Sequence, residues 1–118
     1  MKYRGVVQKG ARRGSALGFP TANIAFDGEE SGIYAAYVLL DGHEYHAAVY
    51  ADQARKLLEA HLGKYPLAGQ AGGDLYGKEI EIELLKKFRE DAKFTDEESL
   101  KAQIQKDIKD VTSYFRSL

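Results

Sequence analysis

Apolar positions recur at two spacings along the chain, and the change of spacing divides it. From Lys78 to Leu85 every second residue is apolar, with Ile80, Ile82 and Leu84 alternating with Glu79, Glu81 and Glu83. Successive side chains of an extended chain point to opposite faces, so this run predicts a strand with one buried and one wetted face. Earlier stretches are rich in β-branched and aromatic residues: "GVV" within Arg4–Gln8, "IYAAYVLL" over Ile33–Leu40, and the "EYHAAVY" that follows. These predict further strands. Asp41-Gly42 between the last two is a hairpin-turn signal. Short strands between frequent glycines favour a small antiparallel barrel or sandwich. The pattern predicts a mainly β fold with one C-terminal amphipathic helix.

The helix is predicted where the period changes. Leu100, Ile104, Ile108, Val111 and Phe115 recur at helical spacing. Thr95 followed by Glu98 reads as a capping box, so the helix is expected from about Asp96 to Tyr114, its apolar stripe packed on the barrel. One domain over residues 1–118 is expected, with the barrel over about 1–94 and the helix over about 96–115.

Two stretches follow neither period. "DQARKLLEAHL", Asp52 to Leu62, is made of good helix formers, yet equally reads as a loop leading into a strand over Lys56 to Leu62. "GKYPLAGQAGG", Gly63 to Gly73, is rich in glycine and contains a proline, so it must be a loop. It is long for a small barrel, and loops of that length are usually functional or disordered.

Composition narrows the class without naming a function. The chain has 118 residues, 44% hydrophobic and 30% charged, enough for a single modest core. Its net charge of -1 gives no electrostatic case for nucleic acid, which a backbone-binding protein meets with a basic excess. There is no cysteine, which excludes disulfides and thiolate metal sites. No apolar run is long enough to span a bilayer and no signal-peptide pattern is present. A cytoplasmic monomer is expected, with small-molecule partners rather than nucleic acid or membrane.

Candidate chemistry concentrates near the start. In "KGARRGSALGFPTAN", Gly10 and Gly14 bracket Arg12 and Arg13, and exposed N–H groups of such a loop can cradle phosphate oxygens. The loop is neither a Walker A motif nor a dinucleotide fingerprint. A solvated turn between two strands is the bland competitor. Thr21 and Asn23 follow at once, two apart, and so share a side of an extended chain. A hydroxyl and an amide carbonyl are hard oxygen donors that suit Mg²⁺. They equally serve to hydrogen-bond a turn.

These segments together resemble the riboflavin kinases, or flavokinases. "GVVQKGARRGSALGFPTANI", "SGIYAA", "LLEAHL", "DLYGKEIEIELLKKFREDAKF" and "LKAQIQKD" stand in the family's order and cover most of the chain. The resemblance implies a mainly β fold, a small closed antiparallel Greek-key barrel of about six strands with one C-terminal amphipathic helix, and phosphoryl transfer from Mg-ATP to riboflavin, giving FMN and ADP. It implies Thr21 and Asn23 as metal-binding residues, and Glu59 as the base that takes the proton of the ribityl hydroxyl. His61, beside it, is not expected to bind the metal, since Mg²⁺ prefers oxygen. Gly10, Arg12, Arg13, Gly14, Thr21, Leu62 and Tyr76 are implied on the ATP and phosphate side, and Arg89 and Phe94 on the flavin side. Arg89 has a competing role as a surface ion pair with Glu90 or Asp91. "GKYPLAGQAGG" stands where the family has a short turn. The alternative function is a flavin- or nucleotide-binding module, or an engineered scaffold of the same fold, with weak or no turnover.

Overall fold

The structure, a computed structural model, describes residues 1–8, 21–62 and 77–118. Six strands, β1 (Lys2–Val6), β2 (Thr21–Ala25), β3 (Gly32–Leu40), β4 (His43–Asp52), β5 (Leu57–Leu62) and β6 (Glu79–Arg89), precede one helix, α1 (Glu97–Arg116). The strands form one antiparallel sheet in the order β1-β6-β3-β4-β5-β2. β3, β4 and β5 are a meander, and β6 returns to lie beside β3, which is the Greek-key arrangement. The sheet's two ends approach each other: Gln8, just past β1, bridges Asn23 of β2, with its N–H donating to the Asn23 carbonyl at 2.7 Å. The result is a nearly closed six-strand barrel with its seam between β1 and β2.

The barrel interior follows the alternation in the sequence. Ile80 and Ile82 of β6 join Ile24, Val38, Leu58 and Leu62 in a core almost without solvent contact. Glu79, Glu81 and Glu83 lie on the outer side. β6 runs on to Arg89, past the end of the clean alternation, because its pairing with β3 continues to Ile33↔Arg89 through register shifts between Ile33 and Tyr34 and between Ala35 and Ala36. The Asp41-Gly42 turn has φ of 51° and 79°. Two consecutive positive φ values match the twist of the flanking strands.

The ambiguous segment 52–62 is not a helix. Asp52 is buried and accepts hydrogen bonds from the Arg55 N–H at 3.2 Å and the Arg55 Nε at 2.7 Å, which folds residues 53–56 into a turn. Lys56 takes φ 55°, and β5 begins at Leu57. The helix also differs in its start. Asp96, not Thr95, is the N-cap: its carboxylate accepts the Ser99 N–H at 2.7 Å, the local bond that satisfies an orphan donor of the first turn. Glu97 and Glu98 in the first turn and Arg116 in the last complement the helix dipole.

α1 lies on the outside of the barrel. Ala35 of β3 and Ala48 of β4 leave a low surface, and Ile104, Ile108 and Val111 fill it to make a second apolar cluster. Burying each such side chain contributes roughly 1.5–3 kcal/mol. Leu100 and Phe115, at the ends of the stripe, are partly buried against the same cluster. The gap left between α1 and the sheet beside this cluster is where the polar chemistry gathers.

Candidate active site

Directly opposed residues of an antiparallel ladder share a face. In β5, Leu58, Ala60 and Leu62 point into the barrel, so Glu59 and His61 must point outward. The ladder then sets a single row across five strands. Asn23 pairs with Glu59, Glu59 with Tyr50, Tyr50 with Ile33, and Ile33 with Arg89. Although they sit on the outer face, Asn23, Glu59 and His61 are only 3%, 2% and 5% exposed. Buried polar groups of this kind are costly unless they are partnered or put to use.

Above the row lies a cavity of about 330 Å³. Ile33, Ala48, Tyr50, Glu59 and His61 line it from the sheet, Arg89 from the end of β6 and Asp91 to Phe94 from the segment after it, and Leu100, Ile104 and Asp107 from α1. The volume is within the range of small-molecule sites. A second cavity of about 490 Å³ shares Ala48 and His61 with the first and runs along the C-terminal half of α1, past Ile108 and Phe115. The carboxylate, the guanidinium and the aromatic side chain named by sequence all border the smaller one.

Its charges are arranged in two groups. Near one end, His61 Nε2 stands 3.5 Å from Glu59 Oε1, both side chains almost fully enclosed. His61 Nδ1 makes no hydrogen bond among the described residues. At the other end, Arg89 grips Asp107 with two parallel bonds, Nε to Oδ1 at 2.8 Å and Nη2 to Oδ2 at 2.7 Å, and Nη1 donates to the Glu90 carbonyl at 3.0 Å. The hydrogen bond to Asp107 holds the Arg89 guanidinium above its already high ordinary pKa. Gln103 Nε2 donates to Asp107 Oδ1 at 2.9 Å. Between the two ends, the Tyr50 hydroxyl donates to Asp91 Oδ1 at 2.9 Å and ties the segment after β6 to β4.

Asn23, Glu59, Arg89 and Phe94 are therefore brought together at or beside one cavity. The partner of Arg89 is Asp107 of α1, rather than the carboxylate of Glu90 or Asp91. Thr21 lies opposite His61 in the β2–β5 ladder. Leu62 has its side chain wholly within the barrel core, which leaves only its backbone at the end of β5 for the nucleotide contact expected of it. Gly10, Arg12, Arg13, Gly14, Tyr76 and the Gly63–Gly73 loop lie outside the described residues. Among the described residues, no group of three or more His, Cys, Asp or Glu is placed to hold a metal ion. Sequence reasoning missed Tyr50 and Asp107. Asp107 carried a signal: it falls on the helix stripe between Ile104 and Ile108, where a charge requires a buried partner.

The profile of the flavokinase, or riboflavin kinase, family matches residues 1–115. An RNA-binding riboflavin kinase of Bacillus subtilis strain 168 is 35% identical over an alignment 121 positions long, which covers 94% of this chain and 50% of that protein. A bifunctional riboflavin kinase/FMN adenylyltransferase of Haemophilus influenzae is 32% identical over an alignment 124 positions long, which covers 96% of this chain and 38% of that protein. The chain thus spans half or less of the length of the curated relatives it matches. The crystal structure of riboflavin kinase from Trypanosoma brucei superposes with a TM-score of 0.62 at 23% identity, over 98% of this chain and 79% of that one, a likeness of fold.

Proposed function

The chain belongs to the flavokinase family, and from that premise we propose that it transfers the γ-phosphoryl group of Mg-ATP to the terminal ribityl hydroxyl of riboflavin, releasing FMN and ADP. The observation that carries the reading is the row itself: a buried carboxylate, Glu59, stands between a buried amide, Asn23, and a guanidinium-lined cavity large enough for a small molecule.

Phosphoryl transfer asks the protein chiefly to position the reactants and to neutralise charge. In this reading the flavin ring occupies the cavity between Arg89, Phe94 and α1, and its chain reaches along the row toward Glu59. Glu59 accepts the hydroxyl proton as the oxygen attacks phosphorus. His61, close to the same carboxylate, limits where that carboxylate can move. Asn23 stands one strand away, on the side from which the nucleotide approaches. The donor set fits Mg²⁺: hard oxygens from Asn23 and Thr21, no cysteine in the chain, and few enough protein ligands to leave room for water and phosphate. When bound, the ion draws charge from the phosphate oxygens.

The test is direct. The chain is incubated with riboflavin, ATP and Mg²⁺, and FMN is sought by chromatography. FMN that forms only when all three are present supports the reading. Riboflavin binding without FMN overturns it in favour of a binding module of the same fold.

A further inference from the structure

We propose that Asp107 of α1 is a positioning residue for the acceptor: it fixes the Arg89 guanidinium at the cavity wall in one orientation, leaving two N–H groups to receive the acceptor's ring. The inference rests on the reading of this cavity as the riboflavin site.

Arg89 is the last residue of β6, where a long side chain without a brace samples many rotamers. Its five N–H donors lie in one plane. Two go to Asp107, from Nε and Nη2, and one goes from Nη1 to the Glu90 carbonyl. Among the described residues one N–H on Nη1 and one on Nη2 are left, and Arg89 lines the cavity. A planar fork with two remaining donors matches the acceptor edge of a heteroaromatic ring, which presents carbonyl oxygens and ring nitrogens.

Asp107 is itself held. It is 6% exposed, and Gln103 one turn earlier donates to its Oδ1. Packing alone does not call for a carboxylate here, because its stripe neighbours are Ile104, Ile108 and Val111. Replacing a buried ion pair with apolar side chains is often neutral or stabilising. What an apolar residue could not supply is the bidentate grip that sets the plane of the guanidinium.

The experiment compares the parent chain with Asp107→Asn, Asp107→Glu, Arg89→Lys and the Arg89→Lys/Asp107→Asn double variant. Riboflavin Kd is read from flavin fluorescence, KM for each substrate and kcat from FMN formation, and folding from circular dichroism. Asp107→Asn is expected to weaken riboflavin binding by about tenfold, the scale of one lost hydrogen bond from a charged group. KM for ATP should stay within about twofold. The double variant should bind no worse than Arg89→Lys, because Asp107 acts through Arg89; a merely structural role would give additive losses. Additive losses overturn the inference. So does parental riboflavin affinity in folded Asp107→Asn or, should that variant not fold, in Asp107→Glu. A parent chain that does not bind riboflavin overturns the proposed function and this inference with it, whereas a binding parent with indifferent variants overturns this inference alone.

Discussion

Gly32→Ala offers a perturbation whose size can be worked from the backbone. Gly32 has φ +102°, and a Cβ there would collide with the Arg89 carbonyl oxygen and lie 3.2 Å from both the Arg89 carbonyl carbon and Glu90 Cα. All three are backbone atoms, so no side-chain rotation relieves the overlap. Holding an alanine in the left-handed region costs about 1–2 kcal/mol. Pushing β3 from β6 far enough to clear the oxygen disrupts the pairing around Ile33 and Arg89, about 1 kcal/mol more for one hydrogen bond. The sum is about 2–3 kcal/mol, or a fall in Tm of roughly 8–12 °C at about 4 °C per kcal/mol. Gly42→Ala is the internal control. Its φ is +79°, but a Cβ there meets nothing within 4 Å, so it suffers the conformational cost alone. Thermal unfolding of both variants, followed by circular dichroism, should place Gly32→Ala below Gly42→Ala by several degrees. Riboflavin affinity should fall only in Gly32→Ala, since Arg89 is displaced with its strand. Equal losses in the two variants would refute the reasoning.

Three further outcomes follow from the same geometry. Glu59→Gln keeps the size of the side chain but removes the proton acceptor, so kcat should fall on the order of 10²–10⁴-fold with riboflavin Kd little changed; a near-parental kcat would remove Glu59 from the chemistry. Asn23→Ala should raise the Mg²⁺ concentration needed for half-maximal FMN formation, and an unchanged Mg²⁺ titration would exclude it as a ligand. Burial works to raise the Asp52 carboxyl, but the Arg55 hydrogen bonds and charge outweigh it, and its pKa lies below the ordinary 3.8. A depressed folded pKa gives stability that is present above the unfolded value and lost as pH falls through the folded one. Denaturant unfolding should therefore show Asp52→Asn less stable by about 1 kcal/mol at neutral pH, a figure discounted for the 40% exposed Arg55 side chain. The gap should close well below the carboxylate range, and a gap independent of pH would count against the pair.

Much of the fold was legible because its signals are local. The alternation of Ile80, Ile82 and Leu84 with glutamates, the Asp41-Gly42 turn and the stripe from Leu100 to Phe115 each report on their own neighbourhood. β5 was ambiguous for a physical reason. Leu58, Ala60 and Leu62 enter the barrel while Glu59 and His61 are enclosed on the other face, so both faces are dry, the short alternation does not mark exposure, and the residues before it are good helix formers. The helix start was displaced by one residue because Thr95 and Asp96 are both good caps, and only the backbone decides between them. Asn23, Glu59 and Arg89 were expected in the site from their family motifs. Their adjacency through Tyr50 and Ile33 is a matter of register between strands far apart in sequence, which no local pattern carries. The Arg89–Asp107 grip joins β6 to α1 and was hidden for the same reason.

The row from Asn23 to Arg89 also works as a caliper. Glu59 stands one strand from Asn23 and three strands from Arg89. At about 4.8 Å per strand, the long arm is roughly 14 Å around the sheet. Both jaws are fixed by hydrogen-bonded strands, so neither can slide to meet a smaller molecule. An acceptor with its ring seated at Arg89 but its hydroxyl on a shorter chain would stop short of Glu59, bound and unreacted. Under the proposed function, selection among acceptors lies in reach: one molecule is told from another by where its far end falls, even when the ring it offers to the guanidinium is the same.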